Sequence, residues 1–284
     1  MRGGLCAGRA ARRDGLCAAG LCQTANVTSR LVVLGSCGAW PEPGRACSGF
    51  VLEHGGVRIV LDLGYGTLPR LLTLLGSTAA DGIDAVIITH AHPDHMVDLH
   101  GLFRARWFGR RGVPAIPLFA PESVVARLLS LEDDGEEEVR KVFDWRPLPA
   151  AAQEIGPLRL ESMLLPHYVP NAGVRLTAPG LTLAYTGDTG TDPVLAELGR
   201  EADLFIVDAT DSAQRRGGRS ASTAPMLTLT ARQAGEAAAA AGARRLMLTH
   251  FWPDNDREAS RAAAAAEFPG EILLANEGLE VPLG

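Results

Sequence analysis

Three imidazoles and one carboxylate lie within six residues of this chain, in the stretch His90-Ala91-His92-Pro93-Asp94-His95. The stretch follows the apolar, β-branched run Ala85–Ile88, which predicts a buried strand that ends where the cluster begins. Imidazole nitrogens and carboxylate oxygens are common ligands of zinc, manganese and iron(II). The spacing therefore predicts half of a two-metal site, and a polar loop with accidental histidines is the weaker interpretation.

Three further candidate ligands each follow an apolar segment that predicts a strand. They are His167 after Leu158–Leu165, Asp188 after Leu181–Tyr185, and His250 after Leu246–Thr249. Loops at strand ends commonly carry functional side chains, because the sheet delivers them to one rim. Together these motifs use five of the seven histidines in the chain.

This order of motifs resembles the metallo-β-lactamase superfamily, whose signature is His-x-His-x-Asp-His followed by a distant His, an Asp and a last His. The resemblance spans roughly Thr28–Glu280. Within the superfamily the chain is similar to the ribonuclease Z-like and bacterial cyclic-nucleotide phosphodiesterase branch. The motifs that carry this similarity are Leu34-Gly35-Ser36, Ser48-Gly49-Phe50 and Leu61-Asp62-Leu63-Gly64-Tyr65-Gly66.

The resemblance implies two divalent metal ions, with zinc as the first candidate and manganese or iron(II) as alternatives. It assigns His90, His92 and His167 to one ion, and Asp94, His95 and His250 to the other. It also implies that Asp188 bridges both ions, together with a water or hydroxide. A structural zinc site would be closed by four ligands and is usually rich in cysteine, which this cluster lacks.

Asp94, Asp208 and Thr228 are the residues that we expect to act in catalysis. In the similar enzymes, an acidic residue at the position of Asp208 orients a downstream histidine that stabilises the phosphoryl group or protonates the leaving oxygen. Thr228 stands where that histidine would be, and threonine cannot carry a proton at neutral pH. Either another group replaces the acid, with His100 as a weak candidate that also fits a helix surface, or the substrate needs no acid.

Asp62 is the residue that we expect to support the metal ligands. A metal-bound imidazole usually donates its other ring proton to a carboxylate or carbonyl. We therefore expect Asp62 to orient one ligand histidine, and a role as an extra ligand is the alternative.

The remaining pattern predicts mixed α/β structure, and the resemblance refines this to a four-layer αββα sandwich. The pair Gly55-Gly56 predicts a hairpin between two strands. The predicted strands are Arg30–Ser36, Phe50–His54, Val57–Asp62, Ala85–Ile88, Leu181–Tyr185, Ala202–Val207, Arg244–Leu248 and Glu271–Leu274, and the predicted helices are Leu68–Leu75, Pro193–Arg200, Ala231–Ala241 and Arg257–Glu267. We expect one domain over residues 27–284, preceded by a disordered tail over residues 1–26 whose start is a possible misassignment.

Composition limits the partners. With 284 residues, 46% of them hydrophobic, and no apolar stretch of about 18 residues, we expect a soluble protein without a membrane partner. Five cysteines, three of them in the tail, suggest a reducing cytoplasm. A net charge of -6 and the acidic run Glu132–Glu138, predicted as a solvated loop or helix start, argue against a nucleic-acid partner. The cluster Arg104–Arg111 fits a phosphate contact or a solvated helix face. A homodimer is compatible with the sequence.

These observations favour a binuclear metal-dependent phosphodiesterase that acts on a small phosphodiester such as a cyclic nucleotide. A second hypothesis is hydrolysis of a lactone, thioester, sulfate ester or other ester, because the same centre attacks carbonyl and sulfur atoms. Ribonuclease Z-like RNA processing comes third, since the chain lacks a long basic arm. A non-catalytic metal-binding protein is the last, motivated by Thr228. A lactamase proper is disfavoured because many of those enzymes have cysteine where this chain has Asp188.

Overall fold

The computed structural model describes residues 29–109, 113–132, 135–211, 214 and 227–283. The predictions for residues 1–26 lie outside the described residues. The strands along the described chain are β1 (Ser29–Gly35), β2 (Gly49–His54), β3 (Val57–Leu61), β4 (Ala85–Ile87), β5 (Ile116–Ala120), β6 (Phe143–Pro147), β7 (Gln153–Ile155), β8 (Leu158–Leu165), β9 (Asn171–Ala178), β10 (Leu181–Tyr185), β11 (Leu204–Asp208), β12 (Arg245–Thr249), β13 (Glu271–Leu274) and β14 (Glu280–Leu283). The helices are α1 (Thr67–Leu75), α2 (Pro93–Gly109), α3 (Glu122–Leu129), α4 (Glu136–Val142), α5 (Val194–Leu198), α6 (Ala231–Ala241) and α7 (Arg257–Ala265).

The strands form two seven-stranded sheets. The first has the order β14-β1-β2-β3-β4-β5-β6, and the second has the order β13-β12-β11-β10-β9-β8-β7. The run β3 to β6 is parallel, and so is the run β10 to β13. Parallel strands present their carboxyl ends at the same edge of a sheet, so the loops after β4, β10 and β12 can converge on one site.

Alternation along the strands decides which side chains fill each layer. In β1, Leu31 and Val33 enter the core between the two sheets, whereas Val32 and Leu34 pack on the opposite face. That opposite face is covered by helices α1 to α4, and helices α5 to α7 cover the outer face of the second sheet. The predicted four-layer αββα sandwich is therefore confirmed.

The predicted elements match the structure closely. Gly55 and Gly56 both have positive φ angles, of 59° and 81°, as a tight hairpin between antiparallel strands requires. The predicted limits of β10, β13 and α6 are correct. Helix α6 begins at a capping box in which Thr230 and Gln233 bond each other's backbone. Strand β11 begins at Leu204 and not at Ala202, and helix α5 is shorter than predicted. Both differ from the predicted limits by two residues or fewer at either end.

Two expectations about charged segments need correction. The acidic run is not uniformly solvated, because the side chain of Glu132 is only 6% exposed and pairs with helix α2, although Glu136 does begin α4. The arginine cluster is not a uniformly solvated face either. Arg106 is buried and donates a hydrogen bond to the carbonyl of Ala80, while Arg110 and Arg111 lie outside the described residues.

Within the described part of the chain, none of the helices has the length and apolar character needed to span a membrane.

Candidate metal centre

The seven predicted ligands come together at the carboxyl ends of the strands. His90 and His92 lie in the loop after β4, and the first turn of α2 carries Asp94 and His95. The other three follow strands of the second sheet, with His167 after β8, Asp188 after β10 and His250 after β12. The centre therefore lies where the edges of both sheets meet.

The ligands form two groups that share one residue. His90, His92, His167 and Asp188 make the first group, and Asp94, His95, Asp188 and His250 make the second. Within each group the ligand atoms lie within 4.8 Å of one another. Asp188 is almost completely buried, and its two oxygens serve different neighbours. Oδ1 lies 3.2 Å from His95 Nε2, and Oδ2 lies 3.1 Å from His250 Nε2.

Nitrogen atoms converge in the first group. Nδ1 of His92 lies 3.1 Å from Nε2 of His90 and 3.0 Å from Nε2 of His167. At most one proton can sit in each of these N–N contacts. Such a convergence of basic lone pairs in a buried place fits a cation.

The opposite ring nitrogens of four histidines are fixed by partners around the centre. Nδ1 of His90 lies 3.0 Å from the Thr89 hydroxyl, His95 Nδ1 lies 2.8 Å from Asp62, His167 Nδ1 donates to the Leu227 carbonyl at 2.7 Å, and His250 Nδ1 lies 2.9 Å from the Thr210 hydroxyl. These contacts favour a proton on Nδ1, so Nε2 faces the centre with a free lone pair. His92 differs, because its Nδ1 is the nitrogen that faces the centre.

Two similar series of contacting side chains support the centre, and each runs from a ligand histidine through a threonine to an aspartate. His90 meets Thr89, whose hydroxyl donates to Asp62 at 2.9 Å, and His250 meets Thr210, whose hydroxyl lies 3.4 Å from Asp208. The fully buried Asp62 also accepts hydrogen bonds from the Thr89 backbone and the Tyr185 hydroxyl. The predicted position of Asp62 beside a ligand histidine thus agrees with the structure.

The side chains of the centre shift one another's pKa values in opposite directions. Burial and the neighbouring imidazoles hold the pKa of His90 well below its usual value. Burial also disfavours charge on His95, yet the carboxylates of Asp188 and Asp62 raise its pKa well above the usual value. Burial and the charge of Asp188 raise the pKa of Asp208 to about 8. Divalent cations would relieve this crowding by neutralising the carboxylates and occupying the nitrogen lone pairs.

Eight buried side-chain atoms lack a hydrogen-bond partner among the described residues, and two of them belong to predicted ligands. These two are Nε2 of His95 and Oδ1 of Asp188. Buried polar atoms are nearly always satisfied, so orphaned atoms in a cluster of nitrogen and oxygen donors fit metal coordination. The residues present therefore suit the divalent ions that the sequence implies.

Two glycines let the backbone approach the ligands. A Cβ atom on Gly64 would lie 1.9 Å from the carbonyl oxygen of Asp94, and one on Gly38 would lie 2.7 Å from the His250 ring. The next residue after Gly38, Ala39, donates its backbone N–H to Asp94 Oδ2 at 2.6 Å. Sequence reasoning quoted Gly64 only as part of a motif and missed Gly38 and Ala39.

The structure places Thr228 beside the centre. Its preceding residue, Leu227, supplies the carbonyl that holds His167, and its following residue, Leu229, donates its backbone N–H to Asp208 at 2.9 Å. Thr228 therefore lies in the chain between a residue that supports a ligand and one that contacts the predicted catalytic carboxylate.

His100 does not join the centre. Its Nε2 atom lies 2.5 Å from the Glu132 carboxylate, and His100 belongs to neither group of ligands. This pairing favours the helix-surface interpretation over a role as the replacement acid.

Comparison with known proteins establishes the family. Residues 45–251 match the model of the Beta-lactamase superfamily domain, and the chain belongs to this superfamily. It is 34% identical to an uncharacterized protein of Mycobacterium leprae over 87% of this chain and 86% of that protein. It is 29% identical to a ribonuclease Z of Kineococcus radiotolerans over 89% of this chain and 95% of the enzyme. The crystal structure of the metallo-beta-lactamase fold protein YhfI from Bacillus subtilis superposes with a TM-score of 0.76 at 24% identity, and the alignment covers 90% of this chain and 99% of YhfI.

The chain is thus a metallo-hydrolase of the β-lactamase superfamily, and its His/Asp cluster is able to bind metal ions. The matched residues 45–251 include all seven predicted ligands, so the family assignment covers the centre.

Proposed function

We propose that this protein hydrolyses a small phosphodiester, with a cyclic nucleotide as the first candidate, at a centre of two divalent metal ions. The observation that carries the proposal is that the two groups of four candidate ligands share Asp188. A shared carboxylate is the arrangement expected where two ions lie roughly 3.5 to 4 Å apart. When bound, such a pair lowers the pKa of a water and stabilises the charge of an in-line displacement.

The protein's own residues would hold the ions and set their positions. His90, His92 and His167 would hold one ion, Asp94, His95 and His250 the other, and Asp188 both. Zinc is the first candidate, and manganese or iron(II) would also accept these nitrogen and oxygen donors. The fixed Nδ1 contacts orient the rings before metal binding, which reduces the rearrangement that binding requires.

Two observations support a small phosphodiester as the substrate. Relatives include ribonuclease Z enzymes, whose reaction is cleavage of a phosphodiester. The net charge of -6 and the three glutamates that begin α4 would repel a long polyanion. A small substrate avoids that repulsion because it contacts only the centre and its rim.

Thr228 favours one further candidate reaction. A threonine at this position supplies no general acid, so esters whose leaving group needs no proton would suit the centre. Thioesters meet this condition because a thiolate leaves without a proton. Lactones and sulfate esters remain alternative substrates because the same centre could attack carbonyl and sulfur atoms, and RNA processing and a non-catalytic metal-binding role follow them.

A substrate screen tests the proposal. Metal-loaded protein would be assayed on bis-p-nitrophenyl phosphate, cyclic nucleotides, precursor tRNA and acyl esters, with the Asp188→Ala variant as the inactive control. We expect turnover of the phosphodiesters that disappears in the variant. Turnover of acyl esters alone, or of precursor tRNA alone, would replace the proposed substrate class.

A further inference from the structure

A cleft of about 390 Å³ opens beside the metal centre, between the first turns of α2 and the end of α3. Its walls include Tyr65, Pro93, Met96, Val97, Arg127 and Leu131. Pro93 separates the predicted ligands His92 and Asp94 in the chain, so one wall of the cleft adjoins the segment that carries these ligands. Its volume lies within the range of about 300 to 1,000 Å³ that is typical of small-molecule sites.

The wall formed by Tyr65 is anchored to the metal loop. The residue before it, Gly64, packs against the Asp94 carbonyl so closely that a Cβ atom there would lie 1.9 Å away. Leu63 also donates its backbone N–H to the carbonyl of His95 at 2.7 Å. These backbone contacts of Leu63 and Gly64 hold Tyr65 next to the segment that carries the predicted ligands Asp94 and His95.

Apolar surface in the cleft remains accessible. Tyr65 is 36% exposed and Leu131 is 52% exposed, and these are two of the six large hydrophobic side chains that the described chain leaves exposed. Large apolar groups that face solvent next to polar catalytic residues commonly mark a ligand site. A flat, weakly polar group seated in the cleft would bury both side chains.

Arg127 supplies a positive charge to the same cleft. The described residues offer its guanidinium no ion pair and no side-chain hydrogen bond. Arg127 lines the same cleft as Pro93, which separates the predicted ligands His92 and Asp94 in the chain. An arginine is well suited to pair with a phosphoryl oxygen.

The largely buried carboxylate of Glu132 holds the two walls together. Glu132, directly after Leu131, lies 2.5 Å from His100 and 3.0 Å from Arg104, and both partners belong to α2. The carboxylate therefore ties the end of α3 to the helix that forms the opposite wall. The cleft is formed before any ligand arrives, which lowers the ordering cost of binding.

We propose that this cleft is the subsite for the nucleobase of a nucleotide substrate, with Tyr65 stacking on the base and Arg127 pairing with a phosphoryl oxygen. The proposal rests on the proposed function, since it names the substrate class of the same centre. A planar base matches the aromatic and apolar lining, and Arg127 supplies a positive charge to the same cleft.

Calorimetric binding tests the subsite without relying on turnover. Adenosine 5′-monophosphate, ribose 5-phosphate and inorganic phosphate would be titrated separately into metal-loaded protein. We expect the nucleotide to bind about 10-fold or more tighter than ribose 5-phosphate, as one base–aromatic stack allows. Equal affinities for these two ligands, or no detectable binding of the nucleotide, would overturn the proposal.

Variants assign the effect to the named residues. Tyr65→Ala should abolish the preference for the nucleotide and keep the affinity for ribose 5-phosphate, whereas Tyr65→Phe should retain the preference. Arg127→Met should weaken all three ligands by a similar factor, and Arg261→Met, which changes an exposed arginine paired with Glu258, should change none. A preference that survives in Tyr65→Ala would overturn the assignment, and metal content and thermal midpoint would verify that each variant is folded.

The two proposals can fail independently. If the nucleotide preference depends on Tyr65 but the protein hydrolyses no phosphodiester, the subsite stands and the proposed reaction is wrong. If phosphodiesters are hydrolysed without any preference for a base, the reaction stands and the subsite is wrong.

Discussion

Nδ1 of His95 lies 2.8 Å from Oδ2 of Asp62, and both side chains are completely buried. The same carboxylate oxygen accepts a hydrogen bond from the Tyr185 hydroxyl at 2.8 Å. This contact turns the opposite nitrogen of His95 toward Asp188, 3.2 Å away. Asp62 therefore acts on the centre through the orientation of His95, although it belongs to neither group of ligands.

Removal of this support should weaken metal binding without abolishing it. We expect Asp62→Ala to lower metal affinity by about 10- to 100-fold, the usual effect of losing a carboxylate behind a ligand histidine. Competition with a chelating dye measures the affinity. Tyr185→Phe is the matched control, because it removes one hydrogen bond to Asp62 and keeps both the carboxylate and the ring, so its effect should be smaller. An Asp62→Ala variant with wild-type affinity would contradict the role.

Asp188 should have a larger effect than any support, because both groups of ligands contain it. We expect elemental analysis to find two ions per chain in the reconstituted protein and fewer than one in Asp188→Ala, with hydrolysis lost. Asp144→Ala is the control, since Asp144 is an exposed residue paired with Arg146. Two retained ions in Asp188→Ala, or similarly mild effects of Asp188→Ala and Asp62→Ala, would show that the roles are misassigned.

Metal removal should destabilise the protein. A ligand present at 100 times its Kd stabilises the folded state by about 2.7 kcal/mol, and about 1 kcal/mol shifts Tm by roughly 2 to 4 °C for a domain of this size. A strong chelator should therefore lower Tm by about 5 to 10 °C in a thermal melt. The Asp188→Ala variant should show little further change with chelator. A wild-type Tm that is unaffected by chelator would argue against bound ions.

Much of the fold could be predicted because its signals are local. The alternation in β1 and the Gly55-Gly56 turn each specify their structure within a few residues. The seven ligands were also predictable, because each lies in a family motif that follows a recognisable strand. The arrangement of the layers, however, came from the resemblance rather than from the local pattern.

The supports of the centre could not all be predicted, for physical reasons. The hydroxyl groups of Thr89 and Thr210 contact Nδ1 atoms of ligand histidines, and these contacts depend on how each imidazole ring is rotated. Threonine is too common near such ligands for the sequence to indicate these contacts. The backbone N–H of Ala39 and the carbonyl of Leu227 have no sequence signature at all. The burial of Glu132 was missed because its partners lie on α2, about 30 residues earlier in the chain.

The surroundings of Thr228 determine whether a histidine could work there. Asp208 is fully buried, and its Oδ2 accepts the backbone N–H of Leu229, the residue after Thr228. Its other oxygen, Oδ1, lacks a hydrogen-bond partner among the described residues. The Asp208 carboxylate already contacts the neighbouring residue, Leu229, and has a free oxygen. It is therefore available to accept a hydrogen bond from an imidazole introduced at position 228.

Thr228→His should supply the general acid that this chain lacks. Under the proposed function, the wild-type protein should hydrolyse activated aryl phosphodiesters far better than alkyl ones, because a nitrophenolate leaves without a proton. We expect Thr228→His to raise turnover of the alkyl substrate by about 10²-fold or more, the lower end of general-acid effects, and to change the aryl rate little. Steady-state kinetics on both substrates measures the effect. Adding Asp208→Asn should reduce the gain, and Thr228→Val should show none. A wild-type protein that already cleaves alkyl phosphodiesters rapidly, with Thr228→His neutral or harmful, would show that the acid comes from another group.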